Sequence, residues 1–462
     1  MSLESGGFSA SVEQEVEMGT TVVIGAGAAG LAAAYTLERS GADCVVLEKR
    51  GFSGGRIYGK VVEGCTLDVG AQFFFTRYRE TYDIMDKLGI AGDLVRYKPF
   101  VGLLRDDNVY VVSQDIKQAF LHPGMMLRAG RMLSSMGKLR AVKFGLKLAS
   151  LGKKLDFDDP LKAIELDNVS FADYTRGNFG DEILEYMAQP VASTLSLGQP
   201  EEISAAYGMA LTWYIAPGLA TLRKGIGQLA EALTEKIKDV RLGTEATRIV
   251  MEGRKVKGVE VSDANGKELI EADHVVCATL APEAAALLGD GLDPALAGTL
   301  KDIKYSACAH VMMGVEGRPL DMLYAIATPR REGLCFSGIT ENAIKAPGYA
   351  PAGKGIIHAY TFGEYGRELL SMDDAAVRDR VLSDIQRVVP TFPDEPFFTE
   401  IFRWPEAVCL TGPGHITAVQ RMKVGLRDYQ GLHLAGEYLG MGSVEAAIHT
   451  GVKAAEKVLR VS

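Results

Sequence analysis

Cysteine and histidine are sparse in this 462-residue chain, and neither is spaced for metal or disulfide chemistry. The six cysteines (Cys44, Cys65, Cys277, Cys308, Cys335 and Cys409) and seven histidines are scattered, with no C-x-x-C pair and no H-x-x-x-H. No metal site is therefore expected, and reduced thiols in a cytosol fit better than a disulfide framework. A surplus of basic charge is lacking too. The formal net charge of -9 excludes general nucleic-acid binding, which needs clustered Lys and Arg. Residues 1–18 have neither the basic start nor the apolar centre of a signal peptide. They are polar, acidic and rich in Ser, Gly and Glu, so a disordered tail is expected. Residues 20–37 form an uncharged run of membrane-spanning length, and the three glycines within it argue for a different structure.

That structure is a strand, a tight turn and a helix. Thr21-Val-Val-Ile-Gly25-Ala-Gly27-Ala-Ala-Gly30 places four apolar or β-branched residues before three glycines, and Leu31 to Leu37 then open a helix. Without a Cβ, Gly27 lets the backbone approach a pyrophosphate, while Gly30 lets the helix pack closely on the strand. The helix N-terminus offers free N–H groups and a positive dipole end to phosphates. Cys44-Val-Val-Leu-Glu48 is a second buried strand ending in a carboxylate that can accept both hydroxyls of an adenosine ribose. Strand, glycines, helix, strand and terminal acid in this order mark a dinucleotide site, with NAD and FAD both open.

Further along, Gly54-Gly55-Arg56 can bring backbone and a guanidinium to a second part of the cofactor. Helical patterns run over 79–90 and 115–190, and 242–277 reads as β. Gly225-Ile-Gly227-Gln-Leu-Ala230 also satisfies G-x-G-x-x-A. No buried strand precedes it and no acid-tipped strand follows, so it reads as a turn before a helix. Residues 116–155 hold nine Lys or Arg and no Asp or Glu. The expected reading is a solvated basic face on a helix whose stripe, Leu139, Val142, Leu146 and Ala149, packs into the core. Peripheral contact with the inner face of a membrane is the alternative.

With these motifs, Leu67-Asp68-Val-Gly70-Ala71-Gln72, Val275 to Pro282 and Leu434-Ala-Gly-Glu437 through Gly442, the chain resembles the FAD-dependent amine oxidase superfamily. Gln189-Pro190, Leu195 to Ser204 and Arg403 to His415 are most similar to its protoporphyrinogen oxidase branch. The resemblance implies an α/β fold in which a Rossmann-like FAD-binding domain with a mixed parallel sheet is interleaved with an α+β substrate domain. The first would be assembled from 19–76, 220–300 and 402–462, the second from 77–219 and 301–401. It implies non-covalent FAD held by Gly25, Gly27, Gly30, Glu48, Arg56, Gly70, Ala71, Ala246, Gly436, Glu437, Gly442 and Ser443. It also implies hydride transfer from a hydrophobic, cyclic substrate to flavin N5, with oxygen or a quinone as electron acceptor.

The chain departs from the amine oxidase pattern at the substrate. Those enzymes flank the flavin with two aromatic side chains, where this sequence reads Ser443 and Ala407 to Cys409. His310 falls near the position of their flavin-side lysine, as a candidate catalytic group or as an ordinary strand histidine. Phe73, Phe74, Tyr207, Trp213 and Phe336 are candidate pocket walls. An amine oxidase, a polyene or carotenoid desaturase and a non-catalytic flavin-binding protein are the competing functions.

Overall fold

The computed structural model describes residues 19–97, 100–113 and 123–461. The expected tail at 1–18 and the start of the basic segment, 116–122, lie outside the described residues. Thr21–Ile24 is buried along its whole length because it is the middle strand of a five-stranded parallel sheet. Cys44–Glu48 and then Asp239–Leu242 lie on one side of it, His274–Cys277 and then Leu432–Leu434 on the other. Strands buried on both faces must be apolar throughout, which is why Thr21–Ile24 and His274–Cys277 read as continuous runs. Helix Ala28–Arg39 leaves the first strand with no side chain capping its N-terminus. It packs along the last helix, Val444–Val461, so the two ends of the chain meet in one layer. Glu245–Glu252, Lys255–Asp263 and Gly266–Glu271 form a separate antiparallel sheet.

A seven-stranded sheet builds the other half. Its order is Phe398–Trp404, Cys308–Glu316, Lys354–Thr361, Phe336–Glu341, Ala325–Ala327, Phe100–Arg105 and Asn108–Ser113. Phe398–Trp404 pairs with Cys308–Glu316 from Phe398 to Trp404. The domain boundary expected at 402 therefore falls inside a strand, and the ladder carries the larger sheet on to Trp404.

The basic segment corrects the expected packing. In helix Ser135–Leu151, Gly137, Phe144 and Leu151 are the buried residues. Leu139, Val142 and Leu146 are 65%, 61% and 69% exposed, and Ala149 is exposed too. At 100° per residue the stripe lies opposite the buried face, so it faces solvent and is not core. Among the described residues, no helix is long and apolar enough to cross a membrane.

Contrary to the sequence reading, a fully buried strand, Leu219–Leu222, precedes the second glycine motif; Gly225 then takes φ +101° in a turn before helix Gly227–Thr234. The Ile226 N–H donates to Asp68 Oδ1 at 2.8 Å, so this second glycine motif is anchored to a side chain.

Candidate active site

One cavity of about 1050 Å³ runs between the two halves. Its walls bring together Gly25, Gly27, Glu48, Arg56, Gly70, Ala71, Ala246, Gly436, Glu437, Gly442, Ser443 and His310. Gly30 is the exception among the residues assigned to the cofactor. It is not on the wall, and a Cβ there would lie 1.9 Å from the Gly25 carbonyl oxygen. Its role is the close packing of helix on turn. A Cβ on Gly27 would meet nothing within 4 Å, so this backbone borders open space at the uncapped helix start, where an anion is favoured.

Glu48 is aimed by the backbone. Its Oε2 accepts the Ala26 N–H and its Oε1 the Arg50 N–H, each at 2.9 Å. An ionised carboxylate has about four acceptor sites, so two bonds hold it and others remain for hydroxyls. Ala246 sits where the pairing with Lys255–Asp263 slips between Ala246 and Arg248, a bulge beside Glu48.

At the other end, Arg56 from the first segment meets Glu437 from the last. Nη2 donates to Oε2 at 2.6 Å and Nη1 also donates to the Ala407 carbonyl at 3.3 Å. Burial opposes the Arg56 charge, but the Glu437 carboxylate outweighs it and raises the pKa. Glu437 Oε1 is 2.5 Å from Arg56 Nη1, yet it accepts no aligned hydrogen bond and is sealed from water. The two side chains thus set a fixed ion pair at the wall of the glycine-lined cleft. These residues fit FAD, with Glu48 and Gly27 for its nucleotide half and Glu437 for its polyol chain.

Ser443 caps the last helix, its Oγ accepting the Ala446 N–H at 3.1 Å. Tyr207 is buried away from the cavity and donates from its hydroxyl to the Gly442 carbonyl at 2.6 Å. Of the five aromatics expected as pocket walls, only Phe73 lines the cavity. Trp213 instead lies under the Arg77 guanidinium, 3.9 Å from its ring centre. Phe74 and Phe336 are core.

His310 is on the wall but both its ring nitrogens are engaged. Nδ1 lies 2.8 Å from the Val69 carbonyl and Nε2 3.0 Å from His358 Nδ1, while Tyr360 stacks on the ring at 4.7 Å. Burial pushes its pKa down to about 4; the Val69 bond opposes this and Lys345 adds to it. Near neutral pH the ring is uncharged and has no free nitrogen for a substrate proton, which fits the strand-histidine reading better than a general base.

Behind it lies a buried network that sequence reasoning missed. Lys345 Nζ bonds Asp68 Oδ2 at 3.1 Å and Gln72 Oε1 at 2.7 Å, and Asn342 donates to the same Gln72 oxygen at 3.0 Å. Burial pulls the lysine down to about 8 against the Asp68 charge. The network braces residues 68–72, which form one wall. Asp68 and Gln72 stood in a quoted motif, but nothing local to Lys345, Asn342 or His358 signalled that they converge there. Tyr360 on the wall was missed for the same reason, and Trp404, within the Arg403–His415 stretch, was not read as a wall residue.

Residues 28–459 match the model of the family described as flavin containing amine oxidoreductase. The chain belongs to that family. Within this flavin-containing amine oxidoreductase group it is 25% identical to a flavin-dependent L-tryptophan oxidase of Lentzea aerocolonigenes, over 92% of this chain and 96% of that protein. It is 24% identical to coproporphyrinogen III oxidase of Bacillus subtilis, over 91% and 94%. Its fold is that of a putative protoporphyrinogen oxidase from Exiguobacterium sp. 255-15, with TM-score 0.74 and 20% identity over 96% of this chain and 99% of that one. The chain is a flavin-dependent oxidoreductase.

Proposed function

We propose that the protein removes a hydride and a proton from a hydrophobic, cyclic or polyene substrate. The observation that carries this reading is one continuous cavity whose glycine-lined, acidic end continues into an apolar one. Bound FAD supplies the two-electron acceptor, the electrons passing on to oxygen or a quinone while the proton leaves to solvent. The chain's own task is to bind, orient and exclude water. Val69 is held through its carbonyl by His310 and by Trp404 Nε1 at 3.0 Å, which fixes the wall between the two ends of the cavity. The test is anaerobic bleaching of the purified yellow protein by porphyrinogens, polyenes and amines. Bleaching by a hydrophobic member of the first two sets supports the reading. A flavin that none of them reduces overturns it in favour of a non-catalytic flavoprotein.

FAD is proposed to be non-covalent. Cys409 is buried off the cavity wall, and Cys308, which is on it, has its thiol pushed up to about 12 by burial. A low-reactivity thiol of this kind is a poor tether. Acid precipitation should release all the flavin to the supernatant; flavin retained on the precipitate contradicts it.

The exposed stripe favours a second proposal, peripheral docking on an anionic bilayer. Leu127, Met136, Leu139, Val142 and Leu146 face solvent, with Lys138 on one flank of the helical stripe and Arg140, Lys143 and Lys147 on the other. Apolar area plus flanking cations is the composition of an interfacial helix. Vesicles containing phosphatidylglycerol should sediment the wild type but not Leu139→Asp/Leu146→Asp, whose circular dichroism stays unchanged. Wild type that ignores these vesicles, or binds neutral phosphatidylcholine equally, rules it out.

A further inference from the structure

We infer that the substrate is uncharged, carrying neither a carboxylate nor an ammonium group; this rests on the proposed flavin chemistry and narrows its substrate class. Beyond His310 and Tyr360 the cavity continues into a limb walled by Phe144, Val191, Leu195, Leu211, Ile215 and Ile326. Among the described residues, charged side chains line only the other half of the cavity. They cluster around Glu48 and Glu283 at the nucleotide end and around Arg56, Glu406 and Glu437 at the junction.

The polar side chains of the limb are neutral, and its two threonines are already committed. Thr212 Oγ1 donates to the Gly208 carbonyl at 2.8 Å and Thr194 Oγ1 to the Ser337 carbonyl at 3.4 Å. Burial raises the pKa of Tyr186, so its hydroxyl stays protonated. Arg105 and Glu185 come close behind the wall, and both are consumed. Arg105 lies 4.0 Å over the Tyr186 ring, donates to Glu182 at 3.0 Å and also to the Met132 carbonyl. Glu185 is held by the Arg330 guanidinium at 2.8 and 3.0 Å. Neither lines the cavity.

A carboxylate or ammonium entering this limb would lose its hydration and find no counter-charge among the described residues. Binding an amino acid needs a cation, binding a diamine needs an anion, and a porphyrinogen with free propionates needs several cations. Among the described residues, the limb has none of these. It suits a hydrocarbon, a polyene or a neutral ring system, whose burial gains the hydrophobic free energy without an electrostatic penalty.

The test uses the holoenzyme and probe pairs sharing one skeleton: a linear polyene against its terminal carboxylic acid, and a porphyrinogen methyl ester against the free acid. Anaerobic flavin bleaching and the perturbation of the flavin spectrum on binding are read for each. The neutral member of each pair should be at least about 100-fold more efficient. Leu195→Lys should narrow that ratio about tenfold or more by supplying a cation inside the limb. A charged member that matches or exceeds its neutral partner overturns the inference and leaves the oxidase reading standing. If dithionite bleaches the flavin but no probe of either kind does, the oxidase reading falls and this inference with it.

Discussion

The two ends of the cavity are built on opposite principles. The end proposed for the cofactor is made of glycines, a carboxylate aimed by two backbone N–H groups, and an Arg56–Glu437 pair joining the first and last segments. The end proposed for the substrate is made of aliphatic and aromatic side chains drawn from a helix at 135–151, a helical block at 187–215 and a strand at 325–327. The first end recognises fixed chemistry, so each residue has a partner or an open space defined by it. The second sets only shape and the absence of charge, which many sequences can supply. Cofactor binding should therefore be fragile to single changes, and substrate binding graded.

The largest effect should come from Gly27→Val. A side chain there enters open space, so the apoprotein folds, but the phosphate approach is closed. Flavin content should fall by about 100-fold or more with little change in circular dichroism; a yellow Gly27→Val protein would break the contrast. Next is the Arg56–Glu437 pair. Arg56→Ala leaves a largely buried carboxylate short of its partner and should weaken FAD binding by about 1.5–3 kcal/mol, with Glu437→Gln milder because it keeps the shape. Flavin dissociation constants measured by fluorescence decide this, and no change in Arg56→Ala would mean the pair is not part of the cofactor site.

At the substrate end the same kind of change should act differently. Leu195→Ala removes apolar wall and should raise KM by about 10-fold to 200-fold, equivalent to 1–3 kcal/mol, with an unaltered flavin spectrum. If it bleaches or releases the flavin instead, the division of the cavity into two functions is wrong.

The smallest effect per group is acid sensitivity. Burial pushes His310 and His433 down to about 4 and also lowers His274 and His415. In the unfolded chain these rings protonate near 6.5. Between pH 6.5 and 4 the unfolded state therefore binds more protons, and stability falls as pH falls, by at most about 1.4 kcal/mol per pH unit per group. His449 runs the other way, raised by its bond to Glu80 despite burial, so its contribution is in place below about pH 6.5 and is lost only as pH rises above it. A melting temperature flat from pH 6.5 to 4 would contradict these assignments.

The stripe at Leu139, Val142 and Leu146 shows where sequence reading misleads. Helical spacing of apolar residues is the same whether the stripe meets core or solvent. Phe144 and Leu151 turned out to be the inward face, and no periodicity distinguishes two apolar faces on one helix. His310 makes the complementary point. Its place on a strand near the flavin-side position was readable, but the commitment of both nitrogens to Val69 and His358 depends on partners 241 and 48 residues away.

What the sequence by itself determined is the cofactor end, from Gly25 to Gly30 with Glu48, through Arg56, to Glu437 and Gly442. Tight turns, close backbone approaches and strand-end acids are local requirements, so they leave local patterns. Only the tertiary structure decided the rest: the wall made by Trp404 and Tyr360, the Asp68–Lys345 brace behind it, and the uncharged limb. Those depend on side chains brought together from distant segments. An apolar wall imposes volume and neutrality rather than a motif, and neutrality over a whole surface cannot be read until that surface is assembled.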